Sequence, residues 1–312
     1  MKTTPVTKED LLRSVIAVPP MARNADFTLN KEANRALLNY LEAGGVRSVM
    51  YGGNANFYHI PLSEYAETLD FLAEAAGADT WVLPSIGPDY GKAIDQAAII
   101  KAGKYPTAMI LPMTFPFTND GVATGIRRIT DAMGKPAVVY IKADPYLKPE
   151  TVKALVDEGR VASIKYAAVK EDPAKDDYLR ALCAAVDTRY IVSGIGERPA
   201  IVHVRDFGLT SFTSGSICLA PNGTMKMLAM IKAKRYDEAE KIRAAYIPFE
   251  DCRDGISPIR VLHDGIGLAG IAEMGPMLPM LTGLSAAERA RVEPIAKALA
   301  AHDRSLAMNK AA

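Results

Sequence analysis

The sequence predicts an α/β fold, a single (β/α)8 TIM barrel with additional C-terminal helices. Eight short runs of β-branched and apolar residues recur along the chain, helical segments separate them, and the runs are continuously apolar instead of alternating. Continuous apolar runs suit parallel strands covered on both faces, and eight strand–helix units close an α/β barrel. The 312 residues fit one such barrel with extra helices. An open doubly wound sheet competes with it, but no GxGxxG follows the first run.

The first strand is expected over residues 14–19, followed by a helix over 31–43 that stops at Gly44, a residue type favoured just past a helix end. Strand two (47–52) feeds a helix over 62–76, with Gly77 in the same capping role, and strand three (81–86) a helix over 94–102. Strands four and five cover 107–112 and 137–141. Pro149 suits the first turn of a helix over 149–156, which Gly159 ends. Strand six (161–166) precedes a helix over 177–185, and strands seven and eight lie at 190–194 and 209–214. The barrel thus occupies 14–235, and 236–312 forms a helical appendage of the same single domain. Extra helices are expected over 224–245 and 286–301, with a Gly-rich and Met-rich stretch between them.

Composition excludes several classes of function. Apolar residues make up 49% of the chain, 37 basic residues nearly cancel 36 acidic ones, and no long Lys/Arg run occurs. That balance points away from nucleic acid and from an anionic membrane surface. Cys183, Cys218 and Cys252 are odd in number and form no CxxC pair, so a reducing, cytoplasmic setting is expected. The opening MKTTPVTKEDLLRSVIAV has no signal-peptide core, and no apolar stretch reaches the roughly 20 residues that span a bilayer. His59, His203, His263 and His302 show no metal-ligand spacing; no metal and no cofactor is expected. Cys218 reads as a small buried hydrophobe, and the methionines of 274–280 as packing.

Barrel active sites lie at the C-terminal ends of the strands, which directs attention to a few residues. On strand six, alternation puts Ser163 and Lys165 on one face and Ile164 and Tyr166 on the other. If the Lys165 face is interior, desolvation lowers the amine's pKa and makes it a nucleophile toward a carbonyl; a lysine snorkelling to solvent is the competing reading. Tyr140 on strand five aligns with Val138 and is either a proton carrier or a barrel-filling aromatic. The Gly52-Gly53-Asn54 turn presents backbone N–H groups to a carboxylate, or is an ordinary turn. The glycines Gly194 and Gly196 carry the same two readings, and Thr114, Lys142 and Ser214 stand at other strand ends.

Together these positions resemble the dihydrodipicolinate synthase/N-acetylneuraminate lyase family of class I aldolases and dehydratases, over almost the whole chain. Tyr140 in VVYIK matches the family's strand-five tyrosine and Lys165 in SIKYA its Schiff-base lysine. SGIGE (193–197) and TSGSICLAP (213–221) resemble its strand-seven and strand-eight segments. GGNANFYHIPLSE (52–64) aligns on its G-[TG]-T-G-E turn, with Gly53 where a relay hydroxyl is usual and Asn54, Ala55 and Asn56 where Thr, Gly and Glu are usual. Thr114 stands where many members place a tyrosine that reaches the neighbouring subunit. The spacing VVYIKADPYLKPETV and the segment IPFEDC (247–252) are similar to the 5-dehydro-4-deoxyglucarate dehydratase branch. The synthases' arginine after the strand-five tyrosine is replaced by Ala143-Asp144-Pro145.

The resemblance implies a TIM barrel with three C-terminal helices, assembled as a homo-oligomer, usually a tetramer. It also implies a lyase whose Lys165 forms an iminium with C2 of a small-molecule 2-oxo acid while Tyr140 shuttles the proton. Gly53 and Asn54 N–H groups would hold the C1 carboxylate, Lys142 a distal one, with Gly194, Gly196 and Ser214 lining the rest of the pocket. Dehydration of a 2-oxo-3-deoxy sugar acid, pyruvate-releasing aldol cleavage, and non-catalytic binding of a small acid all stay open at this point.

Overall fold

The computed structural model describes residues 1–144 and 146–311. Eight parallel strands close into a barrel in chain order, β1 pairing with both β2 and β8. They are β1 Ile16–Ala17, β2 Ser48–Tyr51, β3 Trp81–Ile86, β4 Met109–Ile110, β5 Ala137–Ile141, β6 Val161–Tyr166, β7 Ile191–Ser193 and β8 Ser211–Ser214. Strands three, five and six coincide with the sequence expectation. The first and fourth are shorter at both ends, and past the ladder bonds of Val18 and Leu111 stand Pro19 and Pro112, which lack an N–H to continue them.

A short helix α1 (Lys8–Arg13), not expected from the sequence, precedes the barrel. A capping box between Thr7 and Asp10 holds it. The barrel helices are α2 Lys31–Ala43, α3 Leu62–Ala75, α4 Tyr90–Ala102, α5 Asn119–Met133, α6 Pro149–Asp157, α7 Asp177–Ala185, α8 Glu197–Phe207 and α9 Pro221–Lys232. Helix α3 ends at a capping Ala76, one residue before the expected Gly77.

Behind the barrel the structure corrects the sequence reading in three places. The helix expected over 224–245 is two, α9 and α10 (Tyr236–Ala244). Lys234 breaks it by taking a left-handed φ of 58°, a turn normally given to Gly or Asn. The expected Gly- and Met-rich stretch contains two further helices, α11 (Ile247–Gly255) and α12 (Pro258–Leu268), each with proline in its first turn. Helix α13 runs over Ala286–Ala311, past the expected 301. One continuous apolar core joins barrel and appendage, from Leu11 and Trp81 through Phe249 and Val261 to Leu299. Among the described residues no helix is long and apolar enough to cross a membrane.

Candidate active site

Strand β6 alternates as its sequence requires. Tyr166 points outward, its hydroxyl donating to Asp176 at 2.5 Å and its ring stacked on Tyr178 of α7. Lys165 points inward and is only 6% exposed. Its Nζ lies 3.7 Å from Met50 Sδ on β2, diametrically across an eight-stranded barrel, so the amine sits near the barrel axis. Tyr140 is the direct register neighbour of Lys165 on β5. Its ring centroid lies 4.5 Å from the same Nζ. Burial, reinforced by the positive charges of Lys142 and Arg253, brings the Lys165 amine down to about 7. The lysine is therefore substantially neutral at physiological pH, the form that attacks a carbonyl. Snorkelling to solvent is ruled out.

Burial, and then the neighbouring Tyr58 phenol, pushes the Tyr140 phenol well above its ordinary value. It rests protonated and can give or take a proton only with a close partner. Gly194 explains how β7 approaches: a Cβ there would sit 2.7 Å from Ala167 Cβ, 2.8 Å from Tyr166 O and 2.9 Å from Lys165 Cγ. Only glycine lets the strand end lie against the lysine stem. Gly196 takes a φ of 79° at the start of α8, where an L side chain is strained.

The β2 turn is tied on three sides. Asn54 Nδ2 donates to Val18 O at 2.8 Å beyond β1. Asn56, in a left-handed φ of 61°, donates from Nδ2 to Leu278 O at 3.2 Å. The turn's internal bonds run from Asn56 N to Gly53 O and from Phe57 N to Gly52 O. Among the described residues these bonds do not use the N–H groups of Gly53 and Asn54. Lys142 is exposed, with Nζ 6.0 Å from the Tyr58 ring centroid. Thr114 is exposed beside Phe115 and lies outside the buried cluster. After β5, Asp144 pairs with Lys170 at 2.7 Å, while Pro145 lies outside the described residues.

Beside Gly196, where a Cβ would lie 3.5 Å from Glu250 Oε2, is a network of buried charges. Ser214, expected to line the pocket, donates to Glu197 Oε1 at 2.5 Å and accepts from Ile217 N at 2.9 Å. Thr224 donates to the same Glu197 oxygen at 3.1 Å. Glu250 accepts from Ser216 and pairs with Arg253 at 2.8 Å. Burial and the charge of Glu250 push the Glu197 carboxyl upward. Sequence reasoning missed Met50, Tyr58, Glu197, Glu250 and Arg253 as neighbours of the site. Three of them lie inside segments already singled out (Tyr58 in the β2 turn, Glu197 in SGIGE, Glu250 in IPFEDC), yet nothing local signals that they converge.

The histidines with partners are structural: His203 Nδ1 meets Ser193 Oγ at 2.9 Å and His263 Nε2 meets Gly275 O at 3.0 Å. Cys218 is fully buried in the core. Among the described residues no three His, Cys, Asp or Glu side chains converge as metal ligands would.

Comparison with known proteins agrees with this fold. The profile of the dihydrodipicolinate synthetase family matches residues 11–299. A protein of Xanthobacter autotrophicus named "Probable 5-dehydro-4-deoxyglucarate dehydratase" is 24% identical, covering 92% of this chain and 96% of its own. A Bradyrhizobium diazoefficiens protein of the same name is 21% identical over 96% of each. Among solved structures, dihydrodipicolinate synthase from Bacillus clausii superposes with a TM-score of 0.82 at 21% identity, covering 92% of this chain and 97% of that one. Sialic acid aldolase from Ruminococcus gnavus superposes with a TM-score of 0.83 at 16% identity, covering 95% and 99%. A barrel of this topology, matched by the family profile over nearly its whole length, is a lyase that belongs to the dihydrodipicolinate synthetase family.

Proposed function

We propose that the protein forms a Schiff base between Lys165 and a 2-oxo acid and dehydrates a 2-oxo-3-deoxy sugar acid. The observation that carries this is the placement of Lys165 Nζ near the barrel axis, buried and against the Tyr140 ring, with its pKa brought down to about 7. Neutral Lys165 adds to C2, and Tyr140 moves the proton that lets the carbinolamine lose water as the iminium forms. The iminium withdraws electrons from C3. Loss of a C3 proton gives an enamine, which expels a protonated C4 hydroxyl as water. Hydrolysis of the resulting imine returns the free lysine.

The N–H groups of Gly53 and Asn54 hold the C1 carboxylate, which fixes the carbonyl that meets the amine. Lys142, exposed above Tyr58, attracts a distal carboxylate. The names of the relatives from Xanthobacter and Bradyrhizobium support the sugar-acid substrate class. The reading includes assembly into a homo-oligomer, which light scattering tests. For the chemistry, incubation with pyruvate and borohydride followed by peptide mapping should place a reduced adduct on Lys165. Absence of any adduct with pyruvate and with longer 2-oxo acids would remove the reading. With a trapped imine in hand, loss of water from 2-oxo-3-deoxy sugar acids marks a dehydratase, whereas release of pyruvate marks an aldolase.

A further inference from the structure

Several hydroxyls on the barrel strands have clear partners. Ser163 donates to Tyr190 O at 3.1 Å, Ser211 to Ser14 O at 3.1 Å and Ser214 to Glu197, while Ser193 meets His203. Ser85 on β3 differs. It is fully buried, and its Oγ has no hydrogen-bond partner among the described residues. Enclosing a hydroxyl without a partner destabilises a fold. Register places this one. Val138 shares the inward face of β5 with Tyr140; it is level with Met109, and Met109 with Ser85, so Ser85 also faces the barrel interior. Beside it on β2 stands Gly52, which follows the Tyr51–Pro84 pair. A Cβ at Gly52 would lie 2.9 Å from Ser85 Oγ and 2.8 Å from Met109 Cε, so the missing side chain leaves the hydroxyl its space.

The same face of β2 leads from this hydroxyl to the amine. Met50 precedes Gly52 by two residues, about 7 Å along a strand, and its Sδ lies 3.7 Å from Lys165 Nζ. Ser85 Oγ and Lys165 Nζ therefore flank consecutive inward positions of one strand, and Gly52 is a single peptide from the N–H of Gly53. The turn beyond has no hydroxyl at Gly53, and the Asn54 side-chain amide is committed to Val18 O. Resting on the Schiff-base reading, we infer that Ser85 is a further substrate-binding residue, whose hydroxyl donates to the C1 carboxylate beside the N–H groups of Gly53 and Asn54. A hydroxyl bond to an anion is charge-assisted, and it satisfies the group that the strands leave unpaired. Removing the hydroxyl should then favour the free fold and weaken binding of the acid.

The test follows borohydride trapping on Lys165 against probe concentration, in wild type and Ser85→Ala. With pyruvate, the half-saturating concentration should rise about 10- to 100-fold, while the trapping rate at saturation stays within about twofold. Methyl pyruvate offers the same ketone with an uncharged ester, and its half-saturation should rise about fivefold or less. The thermal midpoint of free Ser85→Ala should equal or exceed that of wild type, since a buried hydroxyl without a partner has been removed. An unchanged half-saturation for pyruvate overturns the inference and leaves the hydroxyl to a fixed water. Equal losses with both probes, or a lowered midpoint, also overturn it, because Ser85 would then be holding the site's shape. A wild type that traps neither probe removes the Schiff-base reading itself, and the role of Ser85 with it.

Discussion

On the β5–β6 side of the barrel mouth, the buried charge is solitary: Lys165 faces an aromatic ring and a thioether, and its positive neighbours only oppose its ionisation. On the β7–β8 side Glu250 is matched by Arg253 and Ser216, and Glu197 is held by the hydroxyls of Ser214 and Thr224. Both sides bury ionisable groups, to opposite ends. Burial without a counter-charge shifts a pKa and makes a reagent. Burial with partners holds geometry, here the strand ends against which Lys165 rests.

The sharpest way to break this contrast is Lys165→Ala. It should abolish turnover and adduct formation yet leave the thermal transition near that of wild type; unfolding would place Lys165 on the structural side. Tyr140→Phe should slow turnover about 10²- to 10⁴-fold while an adduct still forms, and wild-type kinetics would end its role as proton carrier. Arg253→Ala should behave in the reverse manner, costing about 3–5 kcal/mol by stranding Glu250, read as a lower denaturant midpoint. The same substitution removes a positive neighbour of Lys165, so the surviving fraction should trap pyruvate with a pH profile displaced upward.

Acidity offers a gentler test. Adduct formation requires the neutral amine and should rise with pH through about 7. Because the folded Lys165 loses its proton before the unfolded one, the unfolded chain binds more protons between about 7 and about 10.4. Stability from this group should therefore increase with pH across that window and flatten in Lys165→Met. A slope unchanged by that substitution would contradict the solitary-charge picture. The smallest effect is expected from Asn56→Ala, which removes one bond to Leu278 O, about 1 kcal/mol, and should loosen substrate binding more than imine formation.

Strand β6 could be read from its residues because alternation alone fixes which face Lys165 occupies, and the barrel then supplies the interior. Tyr140 was legible for the same reason, since strand register makes it the neighbour of Lys165. Arg253 was not, because α11 docks on the barrel through contacts from Glu250 to Ser216 that no local pattern announces. Ser214 was placed at the right strand end, but nothing local announced that its hydroxyl meets buried Glu197. The break at Lys234 escaped notice because a left-handed lysine carries no glycine or proline signal.

The bond from Asn56 to Leu278 joins residues 222 positions apart, and beside it Arg23 N donates to Met274 O at 2.9 Å. During synthesis the amino-terminal end emerges first, at about 5–20 residues per second. The β2 turn and Lys165 are therefore made well before the segment that fastens the turn. For about 3 to 13 seconds on the ribosome the eight barrel strands exist with that turn unfastened, and a released fragment lacking the last helices would keep the amine without the frame around the turn. The pocket is finished only once the segment around Leu278 has been added, which ties the appearance of its reactivity to the stretch that follows the barrel.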